Sequence, residues 1–337
     1  MAIQFKIVRL FVLVMLMSFG FLNFAESATQ LLKTVMPSGG DYTSLEACMH
    51  ANEQNLVTAD KYLDVKIDGT WSSADTTAVT IHNYTTDATR YINIYTTTAA
   101  RHLGLWSTSY YNLTLSSADG IVFNCNSQFV RLTGIQVKNT HTTASVYTRA
   151  FEFSVADTIV DKVIGIAVGG RALNITEINV GRIRNSVFLN NSSVTTCLFY
   201  GAWNNPTGNN IFNSICANLG SGNGLARDTY DITAKNVYAY SGSGTAFGTV
   251  GTLTTCASDD GSQSTTTVAY TTSTFVNVTA DSENFHLVSG SGLIDVGTDL
   301  SATFTDDIDG VTRSGTWDIG ADEFVAVGGA RRVIFIN

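Results

Sequence analysis

From Tyr62 onward the chain is written in short runs that alternate apolar and polar residues at a period of two, with no helical periodicity between them. The first run, YLDVKIDGTW, places Leu63, Val65 and Ile67 on one face. Others follow in RYINIYT, YNLTLSS, IVFNC, FVRLTGIQVKN, RAFEFSV, LNITEINV, IRNSVFLNN, NIFNSICAN, ITAKNVYAYS and TFVNVT, separated by Gly, Asn, Ser or Thr. A parallel sheet built on helical crossovers is therefore excluded. Three of the runs also repeat one another: IRNSVFLNN, IFNSICANL and AKNVYAYSG each set an asparagine, at 185, 213 and 236, before a small or branched residue. Intervals of 28 and 23 residues suit one coil of a solenoid. Asparagine suits a recurrent corner because it tolerates left-handed torsions and its amide can bond along the stack. An antiparallel sandwich would need hairpin turns at close spacing, and Asp68-Gly69, Asp119-Gly120, Asn223-Gly224 and Asp309-Gly310 are too sparse to organise so many strands. The expected class is all-β, a single-stranded parallel β-helix.

The two ends differ from this middle. Lys6 and Arg9 precede an uncharged run from Leu10 to Ala25, the layout of a secretory signal peptide, with cleavage expected near Ala28 after residues 1–27. The strongly apolar part is about 15 residues, short of the ~20 that span a bilayer, so no stable membrane span is expected after cleavage. An uncleaved signal anchor is the competing reading. Residues 28–337 are expected to form one elongated, exported domain, since only Pro37 and Pro206 and no charged or low-complexity stretch interrupt it. Its cap, residues 28–61, carries the turn PSGGDY and a helix expected over Ser44–Asn55. Thr43 and Glu46 have capping-box spacing, and Leu45, Met49 and Leu56 form an apolar stripe beside Cys48.

Composition narrows the partners. Nineteen Lys and Arg face 28 Asp and Glu, a formal charge of −9, and no basic cluster exists to displace counterions from phosphates, so nucleic acid is excluded. Only 14% of residues are charged, so the surface must take its polarity from Thr, Ser, Asn and Gly. Cys48, Cys125, Cys197, Cys216 and Cys256 are an odd number, widely spaced, without a CxxC or a nearby His; they read as small core residues.

Two segments carry a family resemblance. VMPSGGDYTSLEACMHA resembles the N-terminal entry of pectate-lyase-like and pectin-esterase-like β-helices, in which a glycine turn leads into a helix that plugs the first coil. NFHLVSGSGLIDVGTDL from Asn284, continuing into DDIDGVTRSGTWDIGADEF at Asp306 to Phe324, resembles the C-terminal segment of right-handed parallel β-helix repeat proteins exported by bacteria or encoded by phages. Together they cover about a third of the chain. The resemblance implies a right-handed solenoid with an N-terminal capping helix and a closing segment over 284–337. It does not choose a function, since the superfamily includes lyases, esterases, hydrolases, tail-associated proteins and adhesins. Neither the Arg-x-Pro-x-x-Arg of pectate lyases nor the Gln-Asp-Thr-Leu of pectin esterases is present.

Candidate sites follow from residue chemistry. Asp306, Asp307 and Asp309 alternate like ligands for a bound Ca²⁺, although the remaining ligands of an EF-hand loop are missing, so no cofactor is required. In the resembling segment these acids belong to the scaffold, and Asp309, Arg313, Asp318 and Glu323 are expected as a structural closing motif in which Asp309 or Asp318 pairs with Arg313. Asp259-Asp260 reads as a solvated turn, because neighbours on a strand point to opposite faces. His50, His82, His102, His141 and His286 lack the company that nucleophilic catalysis needs. Among the aromatics, Trp106, Tyr110 and Trp203 are the candidates for stacking on sugar rings, with Trp71, Tyr111, Trp317, Tyr200, Tyr238 and Tyr240 divided between surface and core. The tail Val333–Asn337 is an apolar strand suited to capping its own solenoid or adding to a partner sheet. The expected function is a secreted or cell-surface, adhesin-like or virion-associated β-helix that contacts glycans or neighbouring proteins without strong catalysis. The alternative is a polysaccharide lyase or glycoside hydrolase.

Overall fold

The computed structural model describes residues 28–176, 182–193, 195–200, 210–227 and 232–326. The middle coils each lay one strand onto each of three parallel sheets, which hold nine, eight and six strands among the described residues. The first sheet runs from Thr29–Val35 and Lys61–Ile67 through Ile92–Thr96, Val130–Thr133, Ile159–Asp161 and Arg182–Arg184 to Thr252–Thr254. The second begins at Asn112–Leu115 and continues through Gln136–Asn139, Ile164–Ala167, Val187–Asn190 and Ile215–Asn218. The third starts at Val79–Ile81 and passes through Ile121–Cys125, Arg149–Phe153 and Arg171–Ile175. The molecule is a right-handed parallel β-helix, and its coils in the middle advance 23 to 28 residues, as Ile159 pairs with Arg182 and Ile183 with Ile211.

In-register stacking makes the interior a set of rows. Val65, Ile94, Leu132, Val160, Ile183, Ile211 and Ala234 lie one above another, all buried. Phe123, Phe151 and Phe153 fill the third wall, with the first two ring centroids 5.5 Å apart. The five cysteines are free and buried. Between first and second sheets the chain turns on a single left-handed residue. Asn185, Asn213 and Asn236 occupy that corner with φ of 49°, 41° and 54°, which is the physical basis of their spacing in the sequence. Lys162 (φ 54°) and Thr255 (φ 47°) hold the same corner in neighbouring coils.

The N-terminal end is closed by a helix, though a shorter one than the sequence suggests. The chain forms Leu45–Ala51, breaks at Asn52, and makes a second turn at Leu56–Ala59. The cap residue is Ser44, not Thr43, its hydroxyl accepting from Ala47 N at 3.3 Å. Glu46 does not reach back; its carboxylate accepts from Thr80 N at 2.8 Å, on the first strand of the third sheet, where no further strand could serve that N–H. No helix of the described residues is long and apolar enough to cross a membrane.

Residues 270–326 form a returning segment. It folds back along the outer face of the second sheet, where Ile164, Ile166, Val187, Leu189, Ile215 and Ala217 pack under Phe275, Phe285, Leu293, Ile308 and Ile319. The strands beneath are apolar on both faces, which explains continuous runs such as IGIA and VFLN. Returning, the segment bonds one corner after another. Gly320 N donates to Asn236 O at 2.9 Å and Asn213 Nδ2 to Asp318 O at 3.1 Å. Arg313 Nη2 then donates to Asn185 Oδ1 at 3.3 Å, and Lys162 Nζ pairs with Asp306. The apolar tail Val333–Asn337 lies outside the described residues.

Candidate functional site: the cleft at Trp106

Where the returning segment meets the long loop 97–111, a cleft of about 280 Å³ opens over the second sheet, lined by Leu105, Trp106, Lys138, Ile166, Leu189, Asp281, Ser282 and Glu283. Trp106 is half-buried, held against the apolar cluster that includes Ile166 and Leu189. Lys138 Nζ lies 5.7 Å from the Trp106 ring centroid and 3.7 Å from Asp281 Oδ1. The two acids on the rim differ in environment: the Asp281 side chain is 84% exposed, whereas burial raises the Glu283 carboxyl above the usual range. A flat ring, an apolar floor and three charged groups at the rim form the combination that receives a sugar, whose C–H face stacks while its hydroxyls bond.

The other aromatic candidates separate. Tyr110 is half-buried but does not line the cleft, and Trp203 lies outside the described residues. Trp71, Tyr111, Tyr238 and Trp317 are core residues, the first two packed edge to face at 4.8 Å. Tyr240 stacks on Tyr270 at 3.8 Å. Asp260 serves a turn, accepting from Ala246 N and Ser262 N.

The acids of the closing segment are committed to the protein itself. Asp306 pairs with Lys162. Asp307 accepts from three backbone groups, Asp309 N, Val311 N and Glu323 N, at 3.0, 2.7 and 3.1 Å. Asp309 Oδ2 meets His286 Nε2 at 2.8 Å rather than Arg313. The partner of Arg313 is Glu323, at 3.1 Å, and the guanidinium, 0% exposed at its side chain, also donates to Ala321 O and Gly320 O. Asp318 accepts from Asp295 N and Phe324 N. Burial pushes the carboxyls of Asp307 and Asp318 up to about 7, and the neighbouring Asp309 and Asp322 charges add to it at Asp307.

His286, Asp309 and Asp322 bring ligand atoms within 4.8 Å of one another. Both ring nitrogens of His286 already face oxygen acceptors, Asn284 Oδ1 and Asp309 Oδ2. A ring placed this way donates twice, so it fits as an imidazolium among carboxylates better than as a metal ligand, which needs a free nitrogen lone pair. Nor do the oxygens of Asp306, Asp307 and Asp309 share a common partner, as a Ca²⁺ with six to eight oxygen ligands would ask.

No protein-family model matches the chain, and no curated protein matches its sequence. Solved structures do. The chain is similar to pectate lyase Pel9A, at 14% identity and a TM-score of 0.39, over 88% of this chain and 97% of that one. It is also similar to the pectin methylesterase from Aspergillus niger in its penultimately deglycosylated form, at 12% identity and a TM-score of 0.37, over 63% of this chain and 66% of that one. Those substrates belong to those proteins.

Lys138, Asp281 and Glu283 carry no sequence signal, because they come from a strand and a loop 143 residues apart and become neighbours only when the chain folds back. Midway along the coils a second charged group converges on the third sheet, where Arg149 pairs with Glu152 and Arg171 Nη1 donates to Asn174 Oδ1 at 2.6 Å. Arg149 and Glu152 satisfy one another, and Arg171 is held by Thr195 Oγ1 and Asn174 Oδ1. Asp228 and Asp231, acids beside Arg227 in the sequence, lie outside the described residues.

Proposed function

We propose that this protein is an exported β-helix of the surface or virion-associated kind that contacts carbohydrate through the cleft at Trp106. The observation that supports this is the cleft itself, in which a half-buried tryptophan stands over Ile166 and Leu189 with Lys138, Asp281 and Glu283 at the rim. Loss of one stacking ring from such a site weakens binding by about 1–2 kcal/mol, five- to thirtyfold. Trp106→Ala is therefore expected to lose retention on a glycan array while its thermal unfolding changes little. An unchanged array profile in the variant would remove the cleft from the function.

A second reading is a glycoside hydrolase, favoured by the contrast between Glu283, whose carboxyl is raised by burial, and the exposed Asp281 on the same rim. Reducing-sugar release from a polysaccharide panel, abolished by Glu283→Gln, would establish it. Binding without turnover keeps the first reading.

A further inference from the structure

The outer face of the first sheet carries a feature that packing does not use. Its register places Asn93, Arg131, Ile159 and Arg182 on successive rungs. Rungs are about 4.8 Å apart, so the two arginines stand roughly 10 Å apart with an isoleucine between them. Both line a hollow of about 280 Å³ together with Ala88, Tyr91, Phe129, Asp157 and Ile159. The Arg131 guanidinium lies 3.6 Å from the Tyr91 ring centroid, and Tyr91 stacks in turn on Tyr62 at 5.2 Å.

The other arginines whose side chains are described have acceptors. Arg90 pairs with Asp60 and Asp87, Arg184 with Asp161, Arg149 with Glu152 and Arg313 with Glu323, while Arg101 donates to Thr96 O. Neither Arg131 nor Arg182 has a carboxylate or carbonyl acceptor for its guanidinium among the described residues. In a chain of net charge −9, carboxylates are the commoner charge and two open guanidiniums on one face are unexpected. Stacking on Tyr91 fixes the plane of Arg131 while leaving its donors outward, which lowers the ordering cost of gripping an oxyanion in the two-pronged geometry that arginine favours. The mixed lining, with rings beside the cations, also suits a sugar chain better than a bare anion.

We infer that this face is a second glycan-contacting surface, specific for an acidic oligosaccharide that carries a carboxylate or sulfate on alternate residues. The two-rung separation sets the alternation: one anion meets Arg131, the next meets Arg182, and the uncharged unit between them lies over Ile159. The inference rests on the reading of the molecule as carbohydrate-contacting but uses residues of the first sheet, whereas the Trp106 cleft lies over the second, so the two can fail separately.

The test is titration calorimetry of the full chain with three oligosaccharides of equal length: alternating glucuronate and N-acetylglucosamine, the same chain with its carboxyls reduced to alcohols, and an oligouronate charged on every residue. The alternating acidic chain is expected to bind best, to lose affinity as salt is raised, and to lose about tenfold or more with Arg131→Gln/Arg182→Gln, as charge-assisted bonds would. Trp106→Ala should leave that affinity unchanged, and circular dichroism confirms that both variants fold. Retained binding in the arginine variant, equal binding of the reduced chain, or no binding of the acidic chain by the native protein overturns the inference. Stronger binding of the fully charged chain overturns the alternation. If Trp106→Ala alone abolishes binding of every glycan, the cleft stands and this surface falls.

Discussion

Gly104 shows how a single residue ties the loop 97–111 to the closing segment. Its φ is +73°, and a Cβ there would lie 2.6 Å from His286 Nε2 and closer still to Asp309 Oδ1, so only glycine lets the loop close over that ion pair. Its N–H donates to His102 Nδ1 at 3.2 Å, which leaves His102 Nε2 to donate to Lys162 O at 2.8 Å; burial holds this ring neutral by lowering its pKa to about 4. Gly104→Ala is expected to cost at least ~1–2 kcal/mol from the left-handed backbone alone, read as a fall in melting temperature. Titration acts on the same contact. Asp309 raises the His286 pKa against the opposing effect of burial, so the ion pair's contribution is complete below the ordinary histidine range and is lost as pH rises through the folded value. Asp307 and Asp318, raised to about 7, lower stability earlier in the climb, from the ordinary carboxylate range up to about pH 7, and add no further loss above it. Amide exchange in residues 286–324 should therefore quicken, beyond its intrinsic pH dependence, as pH rises from the ordinary carboxylate range to about 7 and on through the raised histidine value; protection that stays level would remove the titrating groups from the lock.

At the scale of the element, the corner asparagines do two things that the sequence presents as one. The spacing of Asn185, Asn213 and Asn236 reports the left-handed turn, and that much is legible because few other residues accept such torsions. Their second task, holding the returning segment, is not legible. Asn213 Nδ2 donates to Asp318 O, and Asn236 Nδ2 donates both to Asn213 Oδ1 and to Thr298 O, partners up to 105 residues away. Asn213→Gly keeps the turn and loses the bonds, so it should cost about 1–2 kcal/mol; Asn213→Ala loses both and should cost about 1–2 kcal/mol more. Equal melting temperatures for the two variants would show that the torsion contributes nothing. The capping helix departs from its local sequence rule for a related reason. The spacing of Thr43 and Glu46 satisfies a local rule, but the unpaired Thr80 N–H at the sheet's edge takes the carboxylate, and Ser44 is left as the cap.

For the whole molecule, the described coils and the returning segment form two apolar layers that share the second sheet as a wall. Ending the chain at Ala280 would bare Ile164, Ile166, Val187 and Leu189 to water, and the truncated protein should bind a hydrophobic dye and associate, as large exposed apolar patches do. A monomeric, dye-negative product would mean that the segment is an accessory. Chelation with EDTA is expected to leave the melting temperature where it is, because Lys162, His286 and Arg313 supply the positive charge that a cation would otherwise bring. A fall of several degrees, reversed by Ca²⁺, would restore Asp306, Asp307 and Asp309 as ligands.

The sequence by itself determined the solenoid, its coil length, its left-handed corner and the absence of helical crossovers, because these follow from local torsional preference and period-two patterning that repeat in every coil. Only the tertiary structure decided where the last segment goes, which acid pairs with Arg313, and that Trp106 meets Lys138, Asp281 and Glu283 in one cleft. Those contacts join residues far apart in the chain, and nothing local distinguishes a carboxylate that will meet a guanidinium from one that will face water until the fold has brought them together.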